Sequence, residues 1–436
     1  MKLVTVLAVL MAAWCSDLSA ATVPTSDSIS VSQAVEMTLR NHPAVQQAEF
    51  GVAASSARVD ASRSDRYPDI SLDGNYERIG PVPQFNLPGE GALDLAPYNN
   101  YDVHIGVRQT LYDFGKTGAA IALARTSRQS ATDYIDLVKS NLAYRTIGVC
   151  NDILILQQRI AVLDEQLQTL NQHLDMSVKK IRAGTATDFD TLTIQVRIAV
   201  VRSSRIDAVH ALETQEIMFR QLTGLPSDKP ILLSGTFTAE HGTFNLDSLI
   251  TIASVQRPEL ILARDAETSA ASQSHLASLG DRPVLSLNFS TGFKNGYEPN
   301  LNTWKGNYAA GVEMKLPIFN GHKTRYRMSE ADANYSATRA HTTDLERQVH
   351  SEVRQALAAV NSSLDKIAST ETQVRQAEEA VSMAQVRYNA GVITNLDLLD
   401  AETALSQTKL IRVQALYDYT VSVNDLDRAT GRKQWP

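Results

Sequence analysis

Apolar residues recur along this chain with two different periods. Over four stretches the period is two. In 68–78, Ile70, Leu72, Gly74 and Tyr76 alternate with Asp69, Ser71, Asp73, Asn75 and Glu77, and in 101–111, Tyr101, Val103, Ile105 and Val107 alternate with Asp102, His104, Gly106 and Arg108. In 284–293, Leu285, Leu287, Phe289 and Phe293 alternate with Ser286, Asn288 and Ser290. In 307–316, Tyr308, Ala310, Val312, Met314 and Leu316 alternate with Ala309, Gly311, Glu313 and Lys315. Each stretch predicts a strand with one apolar face, and about ten such residues, tilted, cross a bilayer. Aromatic residues stand near both ends: Tyr67, Tyr112, Phe114 and Phe319 at one, Tyr76, Tyr101, Phe293 and Tyr308 at the other. That is where a membrane strand places its interfacial aromatics.

Elsewhere the period is seven. Ile153, Ile160, Leu167, Leu174 and Ile181 recur at that spacing inside 116–182, a segment without proline, and Leu156, Leu163 and Leu170 fill a companion seam. Val353, Val360, Ile367, Val374, Val381 and Tyr388 repeat the pattern later, with small companions at Ala356, Ser363, Thr370, Ala377 and Ala384. These heptads predict long helices in coiled-coil contact. As one helix, 116–182 is ~100 Å long at ~1.5 Å per residue, the size of a stalk or tunnel wall.

The two periods are laid out twice. Pro43 and Pro258 are 215 residues apart, as are Pro68 and Pro283. Leu111 and Leu316 are 205 apart, while Gly184 and Gly391, and Gly224 and Gly431, are both 207 apart. The ten residues lost from the offset lie in 80–100, rich in Pro and Gly and therefore a loop. The order of anchors implies an internal duplication. The expected layout is a signal peptide at 1–21, a first repeat at 22–224, a linker at 225–247, a second repeat at 248–431 and a tail at 432–436. Within it, helices are expected at 116–182, 188–223, 248–280, 322–389 and 395–430.

Composition narrows the function. The formal net charge of −7 gives no electrostatic reason for nucleic acid as a partner. After the N-terminus no run approaches the ~18 apolar residues of a membrane-spanning helix, which leaves a membrane β-barrel open. Lys2, the apolar run 3–13 and the small residues Ser19, Ala20 and Ala21 read as a secretory signal. Cys15 is a candidate for lipid attachment, but Trp14 stands where such sites need a small residue. Removal of the signal leaves Cys150 as the one cysteine, so no intramolecular disulfide is expected.

Enzymatic chemistry finds no support. Gly115-Lys116-Thr117 opens a helix after a strand, yet Thr110 stands where a phosphate-binding loop needs its first glycine. The nine histidines form no HExxH and no cysteine pair accompanies them, so neither a metal nor another cofactor is expected. No GxSxG occurs.

Four strands cannot close, because membrane barrels begin at about eight. Sharing among chains is required, and three chains give twelve strands. The fold class expected is thus α plus membrane β: an internally duplicated chain with four transmembrane strands and long coiled-coil helices. The competing class is an exported, oligomeric coiled-coil adhesin or scaffold, which has no need of four amphipathic strands at duplicated places.

The duplicated pattern resembles the TolC-like outer-membrane factors, the exit ducts of tripartite efflux pumps and type I secretion systems. The resemblance runs from Val31 to Gly431 and is most specific at 34–44 (AVEMTLRNHPA), 112–115 (YDFG), 179–190 (KKIRAGTATDFD), 388–401 (YNAGVITNLDLLDA) and 426–431. It implies a homotrimer with a twelve-stranded barrel in outer-membrane lipid, continued by a helical tunnel through the periplasm. An equatorial region from 225–245 and the chain end near Trp435, and extracellular loops at 80–100 and 294–306, are implied with it. A periplasmic adaptor protein would dock at the turns 183–190 and 390–397, on Gly184, Thr185, Ala186, Gly391, Val392 and Ile393, with an inner-membrane transporter as a further partner. Asp397 and Asp400 match the acidic residues ringing the tunnel mouth, and Tyr388 matches a tyrosine that helps hold it closed. Some members carry an arginine two residues after the turn glycine; this chain has Ile393, so the latch made by that arginine is not expected here.

Overall fold

The computed structural model describes residues 28–87, 91–184, 187–239, 242 and 244–435. The expected signal peptide and Cys15 lie outside the described residues, as do Thr185 and Ala186. Eight helices are present among the described residues: α1 (Val31–Asn41), α2 (Pro43–Ser64), α3 (Lys116–Arg182), α4 (Asp188–Thr223), α5 (Leu246–Gln256), α6 (Pro258–Ser278), α7 (Lys323–Asn389) and α8 (Asn395–Thr430). The strands are β1 (Ile29–Ser30), β2 (Asp69–Arg78), β3 (Gln84–Leu87), β4 (Gly91–Asp94), β5 (Asn99–Tyr112), β6 (Leu233–Ser234), β7 (Val284–Lys294) and β8 (Lys305–Lys315).

The duplication is visible in three dimensions. Helices α3 and α7 are both 67 residues long, and α4 and α8 are both 36. Two core clusters are built from corresponding residues. One holds Val45, Leu142, Ile153, Phe219 and Leu222; the other holds Leu260, Val349, Val360, Leu426 and Ala429 at the matching places. The segment expected as one helix over 248–280 is instead two, α5 and α6, broken at Arg257–Pro258. The pyrrolidine ring forces the preceding residue out of helical conformation, so Arg257 takes φ −67°, ψ 119° and Pro258 starts afresh at the first helical position. His42–Pro43 does the same between α1 and α2.

The helices form a wall rather than a globule. Near the sheet, α2, α3, α6 and α7 lie side by side; at the far end the neighbours are α4, α3, α8 and α7, so the two long helices run through both halves. Buried positions follow the heptads, with Leu163 and Leu170 on α3 and Val353, Val360, Ile367 and Val374 on α7. The chain exposes 27960 Å², against about 16,000 Å² for a compact monomer of this mass. Midway along α3, Leu142, Val149 and Cys150 receive Ile231 and Leu233 from the segment joining the repeats, and β1 pairs with β6 beside them. Burial alone pushes the Cys150 thiol up to about 12, so it is an inert core residue.

The four amphipathic strands form one antiparallel sheet in the order β2-β5-β7-β8. Register brings like residues into rows. Ile70, Val107, Phe289 and Ala310 make one row of the apolar face, and Leu72, Ile105, Thr291 and Tyr308 the next. The opposite face carries Asp69, Arg108, Asn288 and Gly311 in one row and Asp73, His104, Gly292 and Asn307 in another. Apolar side chains of the first face are bare: Leu72 is 73 % exposed and Tyr308 81 %. On the polar face Ser71 donates to Asp73 at 2.7 Å and Asn288 to Glu313 at 3.1 Å. A bulge at Leu111 shifts the register and returns Tyr112 to the apolar face opposite Leu285, beside Phe114 at 4.6 Å. At the other end Tyr76, Tyr101 and Trp304 stack with centroids 5.1 and 5.5 Å apart.

Candidate functional site: the paired turns and the helix starts beside them

At the end of the wall remote from the sheet, α3 turns into α4 and α7 into α8. Both turns hinge on a glycine with positive φ, Gly184 at +74° and Gly391 at +73°, a conformation that costs other residues energy. At the second turn Gly391 N–H donates to Tyr388 O at 3.0 Å and Val392 N–H to Arg387 O at 2.9 Å. These are the two bonds of a Schellman motif, which satisfies carbonyls left over at a helix end. Val392 is 71 % exposed and Ile393 half-buried, so the turn shows an apolar surface. Thr185 and Ala186 of the first turn lie outside the described residues.

The next helices start in the same way in both copies. Thr394 and Asp397 form a capping box: the Asp397 carboxylate accepts from the Thr394 hydroxyl at 2.7 Å and from its N–H at 2.8 Å, and Asp397 N–H donates back to the hydroxyl at 3.3 Å. Thr187 and Asp190 repeat the arrangement at 2.9 and 3.0 Å. The Thr394 hydroxyl, then its N–H, hold the Asp397 carboxyl below the usual aspartate range. Asp397 is therefore a helix start and, at the same time, an exposed anion.

Asp400 differs. Arg197 on α4 donates to it at 2.6 Å, to the Thr403 hydroxyl at 2.8 Å and to Leu399 O at 3.5 Å. The guanidinium thus joins the two repeats beside the turns. Tyr388 lies under Lys180, whose ammonium is 3.9 Å from the ring centre. The structure brings Tyr388, Asp397 and Asp400 to one end of the wall, near Gly184, Gly391, Val392 and Ile393. Arg197 and Lys180 are partners that the sequence reading missed. A signal for Arg197 existed, because its counterpart 207 residues on is Ala404, an unmatched charge between the copies.

Among the described residues no group of three or more His, Cys, Asp or Glu is arranged to hold a metal ion. The arrangement is that of a wall end bearing anions and an apolar turn.

The structure is thus an antiparallel sheet with one bare apolar face, continued by a long helical wall. The outer membrane efflux protein family matches residues 34–225 and 249–432, and the chain belongs to that family. Outer membrane protein TolC of Vibrio cholerae is 24% identical over 385 residues, covering 87% of this chain and 85% of that protein. Alkaline protease secretion protein AprF of Pseudomonas aeruginosa is 25% identical over 331 residues, 74% of this chain and 68% of its own length. The crystal structure of the Campylobacter jejuni CmeC outer membrane channel shares the fold with a TM-score of 0.79 at 15% identity, over 92% of this chain and 85% of that one.

Proposed function

We propose that three copies of this chain form an exit duct in the outer membrane, conducting substrates passively outward from an inner-membrane transporter and its periplasmic adaptor. The observation that carries the reading is the sheet's two unpaired edges. Among the described residues strands β2 and β8 are outermost in the order, and neither pairs with a further strand beside the bare apolar face. In lipid such edges are untenable unless the sheet closes. Pairing β8 of one copy with β2 of the next, three times over, closes a barrel of twelve strands. The polar face then lines its water-filled interior and the apolar face meets lipid.

The helical wall supports the same closure. Its two edges at the far end are α4 and α7. On α4, Phe189, Leu192, Val196 and Val200 form an exposed stripe, with Val196 at 62 % and Val200 at 61 %. On α7, Met383 and Val386 are exposed at 52 % and 68 %. Helix edge meeting helix edge in a ring of three would bury both stripes. An adhesin or scaffold reading explains the helices but leaves the bare sheet face without a solvent. Relatives named for efflux and for protease secretion support duct work in either kind of system.

The test is fractionation with migration. Unheated protein from the outer-membrane fraction is expected to run as an oligomer that converts to monomer on boiling. Recovery in a soluble fraction as a heat-insensitive monomer would overturn the duct.

A prediction follows for docking. We assign the adaptor contact to the two turns, where Gly184 and Gly391 shape the backbone and Thr185, Ala186, Val392 and Ile393 flank it. Val392→Glu and Ile393→Lys leave the Schellman bonds intact, because these are made by backbone atoms. Efflux is expected to be lost while the yield of oligomer is unchanged. Normal efflux from both variants would move the docking surface elsewhere.

A further inference from the structure

Each of the two long helices begins with a lysine. Lys116 opens α3 and Lys323 opens α7, 207 residues apart like the turn glycines, and no acid stands in either first turn. The sign is unfavourable, because the N-terminal end of a helix is positive and favours Asp or Glu. Local rules of this kind are broken mainly at functional sites. Both lysines, with Arg327 of α7, line one cleft of about 530 Å³ between the starts of α3 and α7 and the end of α6. Gln273 and Asn334 add neutral donors to its wall. Among the described residues of that lining Glu330 is the sole carboxylate, against three cations.

These cations are not consumed by the protein. Lys116 Nζ donates one long bond, to Gly280 O at 3.4 Å. Among the described residues the side chains of Lys323 and Arg327 have no hydrogen bond or ion pair. The acids nearby are satisfied by neutral donors. Asp281 accepts from Asn320 Nδ2 at 2.9 Å and from the Thr324 hydroxyl, and Asp113 accepts from the N–H groups of Gly115 and Thr117 at 3.1 and 2.6 Å. An uncompensated positive cleft stands out on a chain whose net charge is −7. A neighbouring cleft joins Asp69, Arg108 and Thr110 of the sheet's polar face to Lys116 and Leu276, and these last two also line the first cleft. The cations thus continue the polar face onto the helices, on the side that the duct reading assigns to water.

We propose that this cleft is an anion-binding site on the inner wall of the duct, where it takes the carboxylate, phosphate or sulfate group of a small cargo molecule; the cargo role rests on the duct reading. Arg327 offers a planar fork that matches such groups, and the two lysines add mobile point charges. No glycine cradle takes part, so the site selects by charge and not by nucleotide shape. In a ring of three, the clefts form a basic collar just beneath the barrel, at the opposite end of the wall from the acidic mouth.

Calorimetric titration of inorganic pyrophosphate into the detergent-solubilised full chain tests the site without requiring conduction. Joint replacement by Lys116→Gln, Lys323→Gln and Arg327→Gln is expected to weaken binding by about tenfold or more, the loss of three close charges. Lys323→Arg keeps the charge and is expected to keep the affinity. Arg325→Gln removes an exposed cation that does not line the cleft, and it is expected to change nothing. No binding to the wild type, unchanged affinity in the triple variant, or an equal loss from Arg325→Gln overturns the site. Planar-bilayer recordings separate the two readings. Pyrophosphate is expected to block the wild-type current and to block the triple variant about tenfold more weakly. Binding without any ion conduction would remove the duct and leave the anion site standing. Conduction with equal block in both proteins would remove the site and leave the duct. Displacement of pyrophosphate by phosphatidylglycerol in mixed micelles, with no block of current, would identify a lipid headgroup as the occupant and overturn the cargo role.

Discussion

Lysine at Leu72, Val103, Leu287 or Val312 is expected to abolish assembly, whereas lysine at Ser71 or Ser286 is expected to leave it intact. The first four residues lie on the sheet's apolar face, where Leu72 pairs with Ile105 and Leu287 with Val312. Val312 is 62 % exposed in the single chain, so nothing within that chain would object to the new charge. The penalty comes from lipid, ~2–4 kcal/mol per site near the bilayer midplane, and it is incurred three times in a trimer. Ser71 faces Gly106 and Ser286 faces Glu313 on the polar side, where an ammonium stays in water. Oligomer yield on unheated gels reads the difference. Equal tolerance on both faces would identify a sheet that never meets lipid.

The second large effect is expected at the tunnel mouth. In the proposed ring of three, Asp397 and Asp400 would place six carboxylates around one opening. Asp397 is held by Thr394 and Asp400 by Arg197. Replacing both with Ala is expected to raise single-channel conductance and to weaken block by multivalent cations from the periplasmic side by about tenfold or more, since each close charge pair contributes ~1 kcal/mol even in water. Loss of Asp400 also frees Arg197, which adds repulsion of cations at the same place. The role of Asp397 as a helix start predicts a smaller effect for Asp397→Asn, which retains an acceptor for Thr394. Wild-type conductance and block in the double variant would reduce both residues to helix starts.

Much of this architecture was legible in the sequence because its two periods are so different. The limits of α3 coincide with the proline-free heptad segment, and the four alternating stretches became β2, β5, β7 and β8. Two features were hidden. The bulge at Leu111 has no signature in alternation, since inserting one residue only shifts which face is apolar. The break at Arg257–Pro258 was readable by analogy with His42–Pro43, yet the apolar pattern on both sides suggested one helix. That Tyr388, Asp397 and Asp400 lie beside the second turn was legible; their partners were not. Helix spacing puts Asp400 close to the second turn; it cannot say that Arg197 meets it across 203 residues of chain. Comparing the copies helps: Asp400 corresponds to Thr193 and Arg197 to Ala404, so charges present in only one repeat mark contacts that join the two.

Ring closure by three chains is the central claim, and native mass spectrometry of the protein extracted from outer membranes in mild detergent tests it most directly. The account predicts a complex of three chains that survives detergent and falls apart only when the strands unfold. A monomer retaining its full β-sheet content would contradict it.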